Sequence, residues 1–272
     1  MPELPEVETV RVFLDSHMTG QKAIKINIIN NKLRYEIPKN LDRSLSQTIL
    51  TKIDRRGKYL ILEYENNLFL LFHLGMTGYF RFSKAGKFIK HDHLSFEFNN
   101  FKIIYNDIRK FGFLKLYDKK KFASSKHLIK MGPEPLKEKF NFDYFFKNHK
   151  REVSIKNLLM NQEFVAGLGN IYCSEILFDA LVNPNRLSKS LKKNEMLKIV
   201  SSTKKILKDS IKVGGTTIKN FIVSDWKIGY FKNQLNVYGR ENMKCKRCKD
   251  LSSIKKITQN GRSTFFCANC QL

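Results

Sequence analysis

Acidic side chains are scarce in this sequence of 272 residues: 25 Asp and Glu stand against 50 Lys and Arg, which leaves a formal net charge of +25. An imbalance of this size predicts a polyanionic partner, with nucleic acid as the first candidate and an anionic membrane surface as the second. Long apolar runs are also missing from the sequence. Because no stretch of 18 apolar residues occurs, we expect no transmembrane helix.

The N-terminal residues are acidic and lack the apolar core of a secretion signal, so a cytoplasmic protein is expected. Apolar residues make up 42% of the chain, which is typical of a globular protein. The length allows two domains with cores of their own.

Cysteine occurs only five times, and four of the five form two pairs, Cys245-x2-Cys248 and Cys267-x2-Cys270. In a reducing cytosol, such pairs indicate a metal more often than disulfides. Two pairs can complete one tetrahedral zinc site, which is closed and therefore structural. Iron or two disulfides are the alternatives. The basic segment between the pairs is predicted to form a hairpin that contacts phosphates, and the fifth cysteine, Cys173, is predicted to be a small core residue.

The chain begins with Met1-Pro2-Glu3. A small second residue permits removal of Met1, which would leave the secondary amine of Pro2 at the terminus. An α-amino group has a pKa of about 7.7–8.0, so a sizeable fraction is neutral near pH 7 and can attack an electrophilic carbon. Glu3 is an adjacent proton donor or acceptor. The alternative is an ordinary N-terminal helix that starts with proline.

The order of patterns along the chain predicts three parts. Apolar residues recur at helical spacing over residues 2–19. Residues 20–118 are predicted to be mainly strands, and the clearest strand patterns lie at 58–64, 68–82, 93–98 and 102–117. Two prolines interrupt residues 132–135, and helical patterns follow from 142 to about 212. We therefore expect domains at 1–131 and 132–235, and a cysteine module at 236–272.

Loop-like segments interrupt the strands at residues 73–78 and 107–112. Met76 and Phe111 are either wedges between DNA bases or core residues, and the pattern alone favours the core. Arg109 is a candidate to fill the position of a displaced base. Two glycines precede a helix at residues 165–172, where Asn170 either caps the helix or contacts phosphate. His91 and His93 lie on one face of a strand, which favours structural histidines over a second metal site.

In this order the motifs resemble those of the bacterial formamidopyrimidine-DNA glycosylases, also called 8-oxoguanine DNA glycosylase/AP lyases. The resemblance runs from end to end. Its motifs are Pro2-Glu3-Leu4-Pro5-Glu6-Val7-Glu8-Thr9, Arg56-Gly57-Lys58-Tyr59, His73-Leu74-Gly75-Met76, Arg109-Lys110-Phe111-Gly112, Gly132-Pro133-Glu134-Pro135-Leu136, Val165-Ala166-Gly167-Leu168-Gly169-Asn170-Ile171-Tyr172, Gly214-Gly215-Thr216-Thr217, Val237-Tyr238-Gly239-Arg240 and Gly261-Arg262-Ser263-Thr264-Phe265.

The resemblance implies an α+β fold: an N-terminal helix on a β-sandwich, then a helical helix–two-turns–helix domain with a C-terminal zinc-finger hairpin. It also implies a bifunctional enzyme of base excision repair, which excises oxidised purines from double-stranded DNA, preferably opposite cytosine, and cleaves the strand by β,δ-elimination. The expected protein is a monomer with one structural Zn²⁺, located in the bacterial cytoplasm at the nucleoid.

Residue roles follow from the same resemblance. Pro2 is the Schiff-base nucleophile, and Glu3, Lys58 and Arg262 complete the catalytic set. The candidate DNA-binding residues are His73, Met76, His93, Arg109, Phe111, Lys156 and Asn170, and the zinc ligands are Cys245, Cys248, Cys267 and Cys270. Residues 216–230 resemble a loop that closes over the flipped base.

The sequence departs from the family pattern at Ile108, Lys110 and Asn161, and the departures at 108 and 110 bear on loop rigidity and opposite-base discrimination. Two alternatives remain beside this interpretation. An endonuclease VIII-like glycosylase for oxidised pyrimidines is the nearer one, although Leu4 together with Met76, Arg109 and Phe111 favours the purine branch. A zinc-ribbon nucleic-acid-binding protein without catalysis accounts for the charge and the cysteines only.

Overall fold

The computed structural model describes residues 1–84, 86–216 and 231–272. The chain divides into two units: Met1–Ile129 with the described residues that follow Lys212, and Lys130–Lys212 with Phe231–Leu272. Except for Thr216, the segment 216–230 that resembles a closing loop lies outside the described residues. In the part of the chain that is described, no helix has both the length and the apolar content that crossing a membrane requires.

Helix α1 (Leu4–Met18) lies within the predicted helical segment 2–19 and has proline in its first turn. The side chains of Glu3 and Glu6 close a capping box, because each accepts a hydrogen bond from the other's backbone N–H. The apolar residues at helical spacing face the core, and Val7, Val10 and Leu14 are completely buried.

The first unit contains two antiparallel sheets of four strands each. One has the order β1-β6-β7-β5 and the other β2-β3-β4-β8. The strands are β1 (Lys25–Ile28), β2 (Leu50–Arg56), β3 (Tyr59–Tyr64), β4 (Leu68–His73), β5 (Tyr79–Ser83), β6 (Asp92–Glu97), β7 (Lys102–Asn106) and β8 (Phe113–Asp118). Short helices α2 (Leu41–Leu45) and α3 (Lys119–Ala123) flank them.

One hydrophobic core joins α1 to both sheets, as expected for a sandwich. It includes Phe13 from α1, Leu62 and Phe72 from one sheet, and Phe96 and Ile103 from the other. The two longest predicted strands, 68–82 and 102–117, are each two strands separated by a loop. Those two loops, 74–78 and 107–112, carry the candidate wedge residues.

The second unit contains helices α4 (Phe142–Asn148), α5 (Ile155–Met160), α6 (Asn170–Ala180) and α7 (Lys193–Lys212). Two turns between α5 and α6 are held by the side chain of Gln162. Its amide accepts a hydrogen bond from Gly167 N–H at 2.8 Å and donates to Leu168 O at 2.8 Å. Gly167 has φ +86°, a left-handed conformation that glycine adopts without strain.

The proline-rich segment that precedes α4 packs along these turns. Gly132 N donates to Gln162 O at 2.8 Å, and Ala166 N donates to Pro133 O at 3.0 Å. A Cβ on Gly132 would lie 2.5 Å from Phe164 O, so only glycine permits this approach.

A three-stranded sheet ends the chain, in the order β11-β10-β9. Its strands are β9 (Lys244–Cys245), β10 (Lys249–Gln259) and β11 (Arg262–Cys267). Asn260 and Gly261 join β10 to β11 with φ values of +47° and +69°. This two-residue turn with both φ values positive is the one that Asn-Gly favours, and the predicted hairpin is present.

Candidate active site and metal centre

The N-terminal residues of the first unit are buried, although chain termini are usually exposed. Pro2 is buried, and Glu3 and Glu6 are each only 2% exposed. The capping box holds Glu3 at the beginning of α1, with its backbone N–H 2.9 Å from Glu6 Oε2. This geometry fixes the first residues of the chain against the helix N-terminus.

Burial lowers the pKa of the Met1 amine, which precedes Pro2 in this structure, from its ordinary value of 8.0. The carboxylates of Glu3 and Glu6 oppose this effect, whereas the cations of Lys58 and Arg109 reinforce it. Burial is the largest of these influences. A lowered pKa increases the fraction of neutral amine, which is the form that attacks a carbon.

Lys58 lies in the turn between β2 and β3 and is only 7% exposed. Gly57, with φ +56°, makes this tight turn possible. The charge of Lys58 acts on the N-terminal amine and also on His73. Lys58 is therefore close enough to both the N-terminus and His73 for its charge to affect their pKa values.

Glu6 also anchors the segment that follows α7. Its Oε1 accepts hydrogen bonds from Thr216 N at 2.8 Å and from Thr216 Oγ1 at 2.9 Å. A Cβ on Gly215 would lie 2.7 Å from the same oxygen, which explains the glycine that precedes Thr216. Sequence reasoning had assigned Glu6 only to the helix.

His73 ends β4 and is neutral. Desolvation lowers its pKa to about 4, and the nearby cations of Lys58 and Arg34 add to the effect. Its Nδ1 accepts a hydrogen bond from Gly75 N at 3.1 Å, so the proton of the neutral ring is on Nε2. The ring stacks on Phe113 at 5.4 Å between centroids.

Met76 and Phe111 lie on the surface of the first unit. They are 37% and 46% exposed, and the interpretation of both as core residues is therefore wrong. Arg109 is exposed beside them, with its guanidinium 4.7 Å from the centre of the Phe111 ring. Ile108 is exposed as well, and Lys110 has a left-handed φ of +57°.

His93 is completely buried, and both of its ring nitrogens face backbone carbonyl oxygens. Nδ1 is 3.1 Å from Asn30 O and Nε2 is 3.1 Å from Asp107 O. It therefore contacts the 107–112 loop from inside the fold. Among the described residues, neither His91 nor His93 belongs to a group of three potential metal ligands.

Lys156 is the one candidate DNA-binding lysine, and only 1% of it is exposed. Its Nζ donates to Asn170 Oδ1 and Thr264 Oγ1, both at 2.6 Å, and to Ser263 O at 3.3 Å. Asn170 also donates to Ser263 O at 2.8 Å, so it does not cap α6, whose N-cap is Gly169. The network joins α5, α6 and β11.

Arg262 begins β11 next to the Asn-Gly turn and is exposed. Asn161 also has a local role, because its Oδ1 accepts a hydrogen bond from Glu163 N at 2.9 Å in the first of the two turns. The departure from the family pattern at this position is therefore compatible with the turn.

The four paired cysteines meet at one point. Cys245 Sγ is 4.0 Å from Cys270 Sγ, Cys248 Sγ is 3.8 Å from Cys267 Sγ, and all four sulfurs lie within 4.8 Å of one another. Zn–S bonds of about 2.3 Å give a tetrahedron with edges of about 3.8 Å, so the sulfur positions fit one zinc ion. Cys173 is buried in α6, as predicted.

Several structurally important residues escaped the sequence analysis. Asp107 and Thr77 hydrogen-bond across the two exposed loops, and the aspartate directly before an irregular segment was the available signal. Glu175 on α6 is a buried carboxylate that accepts backbone N–H groups of Asn236, Val237 and Tyr238 at 2.8–2.9 Å. An acidic residue within an apolar helical run indicated this role.

Comparison with known proteins agrees with this architecture. Residues 1–114 match the family model of the formamidopyrimidine-DNA glycosylase N-terminal domain, and residues 131–222 match that of its H2TH domain. Residues 243–272 match the zinc finger found in FPG and IleRS. The formamidopyrimidine-DNA glycosylase of Rickettsia canadensis is 40% identical over 274 residues, which cover 100% of this chain and 99% of that protein.

Solved structures give the same result. A Lactococcus lactis FPG variant in complex with Fapy-dG containing DNA is similar with a TM-score of 0.92 and 37% identity, covering 99% of each chain. Lactococcus lactis Fpg in complex with abasic site containing DNA has a TM-score of 0.90 and 36% identity, again with 99% of each chain covered.

The chain is thus a DNA glycosylase and belongs to the formamidopyrimidine-DNA glycosylase family. The predicted fold class is confirmed: an N-terminal helix with a β-sandwich, then a helical domain with two turns and a zinc-finger hairpin. The prediction of one structural zinc, held by the four paired cysteines, is confirmed as well. A zinc-ribbon protein without catalysis does not account for the match over residues 1–114.

Proposed function

We propose that the chain excises oxidised purines, including formamidopyrimidines and 8-oxoguanine, from duplex DNA and then cleaves the strand. The observation that carries the proposal is the buried start of α1, where Pro2 and Glu3 are both buried and where burial lowers the pKa of the preceding Met1 amine. The relative bound to Fapy-dG containing DNA supports the substrate class, and the one bound to abasic DNA supports the second step.

Pro2 is the proposed nucleophile. Once Met1 is removed, its secondary amine attacks C1′ of the damaged nucleoside, the bond from C1′ to the base breaks, and the departing base takes up the proton that the amine nitrogen loses. The sugar ring opens when C1′–O4′ breaks, which leaves an iminium between C1′ and the Pro2 nitrogen. Glu3 is placed next to Pro2 to supply the proton that O4′ takes up.

The iminium makes the C2′ proton acidic. Loss of this proton expels the 3′ phosphate, and a second elimination expels the 5′ phosphate, so a one-nucleotide gap remains. Lys58 is the proposed cation near the reacting sugar, since it is buried and its charge acts on the Met1 amine next to Pro2. Arg262 is proposed to bind the phosphate next to the lesion, and it belongs to the catalytic set for that reason.

DNA binding is assigned to residues of both units. Met76 and Phe111 are the proposed wedges, and Arg109 faces the opposite base, for which we propose cytosine. Their exposure supports this role. His73, Lys156 and Asn170 are proposed to act at the DNA backbone, whereas the buried His93 would act only by supporting the 107–112 loop.

We also propose domain boundaries, an oligomeric state and a cellular location for the protein. Residues 1–131 form the catalytic domain, 132–235 the helix–two-turns–helix domain and 236–272 the zinc finger. The protein acts as a monomer in the bacterial cytoplasm, at the nucleoid. Size-exclusion chromatography with light scattering tests the oligomeric state: a dimer mass at micromolar concentration would refute the monomer.

Borohydride trapping tests the central chemistry. The protein is incubated with a duplex that carries 8-oxoguanine opposite cytosine, reduced, digested and examined by mass spectrometry. We expect a covalent adduct on Pro2. An adduct on a lysine would contradict the nucleophile, and an adduct formed only with an oxidised-pyrimidine duplex would favour the endonuclease VIII-like alternative.

Two variants complete the test. Pro2→Gly replaces the secondary amine with a primary one and should lose most base excision, whereas Pro38→Gly, at a turn elsewhere in the first unit, is the matched control. Intact-mass measurement of each protein establishes that Met1 has been removed. Normal turnover of Pro2→Gly would exclude a requirement for the secondary amine.

A further inference from the structure

We propose that Asp107, Thr77 and Tyr105 are positioning residues that join the 74–78 and 107–112 loops into one rigid block, so that Met76, Arg109 and Phe111 enter the duplex as a preformed unit. This inference rests on the proposed function and deepens it, because it concerns how the opposite base is read. None of the three positioning residues is expected to touch the DNA.

Asp107 makes the first connection. Its carboxylate is completely buried and accepts hydrogen bonds from both loops. Oδ1 accepts from Thr77 Oγ1 at 2.5 Å and from Arg109 N at 3.3 Å, and Oδ2 accepts from Gly112 N at 2.8 Å. Hydrogen bonds to a buried carboxylate are stronger than neutral ones, so the beginning and the end of the 107–112 loop are held by one side chain.

Thr77 makes the second connection, through a single hydroxyl. Its Oγ1 donates to Asp107 Oδ1 and accepts from Arg109 N at 3.1 Å. The backbone of Arg109 is therefore fixed by the 74–78 loop as well as by its own loop. Any rotation of the Arg109 backbone would break bonds to two different segments.

The two loops also touch through their backbones. A Cβ on Gly75 would lie 2.3 Å from Gly112 N and 2.4 Å from the carbonyl carbon of Phe111. Contact this close leaves no room for one loop to slide past the other. The φ of Gly75 is +64°, a second reason for glycine at this position.

Tyr105 fills the space behind this contact. Its hydroxyl lies where a Cβ on Gly112 or Gly78 would be, 1.9 Å and 2.3 Å from those ideal positions. The side chain is completely buried, and burial, with the charge of Asp107, raises its pKa well above the usual range. The neutral phenol of Tyr105 therefore lies between the two loops and sets the distance between them.

Two of the positioning residues beneath the two loops are buried, whereas the candidate DNA-binding side chains that the loops carry are exposed to solvent. Asp107 and Tyr105 are completely buried, whereas Met76 is 37% and Phe111 46% exposed. Preorganised groups recognise a partner with less loss of freedom, and a misplacement of about 1 Å can reduce a rate by about 100-fold. The contacts beneath the loops thus determine where the exposed side chains meet the opposite base.

The test uses Thr77→Val, which keeps the shape of the side chain and removes both hydrogen bonds of the hydroxyl. Thr77→Ser keeps the hydroxyl and should restore function. Thr51→Val is the control, because it makes the same substitution at a hydroxyl that donates one hydrogen bond, to Glu63 O at 2.9 Å, on a strand away from the loops. Asp107→Asn is a second test variant, in which an amide NH₂ replaces one carboxylate oxygen.

Two readouts are compared for each variant: excision of 8-oxoguanine opposite cytosine and opposite adenine, and borohydride trapping on a single-stranded abasic oligonucleotide. We expect Thr77→Val and Asp107→Asn to lower excision opposite cytosine by about tenfold or more and to reduce the cytosine preference. Trapping on the single strand should stay within about twofold of wild type, since no duplex is opened.

An unchanged ratio between cytosine and adenine in both variants would overturn the inference, as would Thr77→Ser behaving like Thr77→Val. Equal losses in excision and in single-strand trapping would also overturn it, because they would indicate general destabilisation. Failure of the proposed function is recognised separately, since wild-type protein would then not excise 8-oxoguanine opposite cytosine.

Discussion

Lys156 Nζ donates to Thr264 Oγ1 at 2.6 Å, so an ammonium group on α5 is hydrogen-bonded to a hydroxyl on β11. The two residues are 108 positions apart in the sequence, and both are buried. The contact connects the helical part of the second unit to the zinc-finger hairpin. It gives a buried lysine a structural function besides the DNA-binding one proposed for it.

Replacing this lysine should therefore destabilise the second unit. Lys156→Met keeps the length of the side chain but leaves the acceptors on Asn170 and Thr264 without their donor. We expect a loss of about 2 kcal/mol in the free energy of unfolding, measured by urea titration. Lys130→Met, at an exposed position, is the control. A double-mutant cycle with Thr264→Val should show that the two losses are not additive.

The carboxylate of Glu175 should hold the zinc finger in place. Glu175→Gln sets an NH₂ group against the backbone donors of Asn236, Val237 and Tyr238. We expect a loss of about 2 kcal/mol in stability and faster release of zinc to a chelator. Glu163→Gln, at an exposed position, should release zinc at the wild-type rate. Equal rates for the two variants would contradict this role of Glu175.

His73 should make stability depend on pH. Its pKa is about 4 in the folded chain and 6.5 as the ordinary value, so the unfolded chain binds this proton more readily. The stabilisation from the neutral ring is complete above the ordinary pKa and is lost as the pH falls towards 4. Between about pH 7.5 and pH 5 this loss amounts to about 2 kcal/mol.

His73→Asn tests this linkage, because asparagine retains an acceptor for Gly75 N–H but does not titrate. Urea unfolding of wild type and variant at both pH values should show a smaller pH effect in the variant. His91→Asn, outside the site, should keep the wild-type difference. A pH dependence that is the same in wild type and in His73→Asn would refute the linkage.

Loss of a zinc ligand should affect both the metal content and DNA affinity. Cys267→Ser removes one of four thiolates, and we expect less than one zinc per chain and weaker binding to a lesion duplex. Cys173→Ala should keep a full zinc count, because Cys173 is in α6 and not in the four-sulfur cluster. Wild-type affinity together with a full zinc count in Cys267→Ser would disprove the prediction.

Local signals in the sequence were sufficient to predict those structural elements that depend only on neighbouring residues. The proline start and the helical spacing of apolar residues over 2–19 predicted α1, and the spacing of Cys245 and Cys248 predicted half of the zinc site. Such features need only a few consecutive residues. The strand order β1-β6-β7-β5 was not predictable, because it depends on pairing between residues far apart in the sequence.

The exposed loops show why the hydrophobic pattern alone favoured the core for Met76 and Phe111, although the family resemblance named both as DNA-binding residues. Met76 and Phe111 follow apolar strands, and hydrophobic periodicity does not distinguish the last core residue from an exposed tip. Gly75 and Gly112 were the better signals, since their backbones touch in the structure. The burial of Lys156 was also unforeseen, because lysine is among the residues least often found inside proteins.

The close approach of Gly132 to Phe164 has a consequence for dissecting the protein. Because Gly132 and Pro133 supply hydrogen bonds to the turns between α5 and α6, the smallest autonomously folding fragment of the second unit must start upstream of its first helix. A fragment that began at Phe142 would leave Ala166 N–H and the Gln162 carbonyl without these backbone partners. Limited proteolysis should accordingly leave Gly132 attached to the helical fragment.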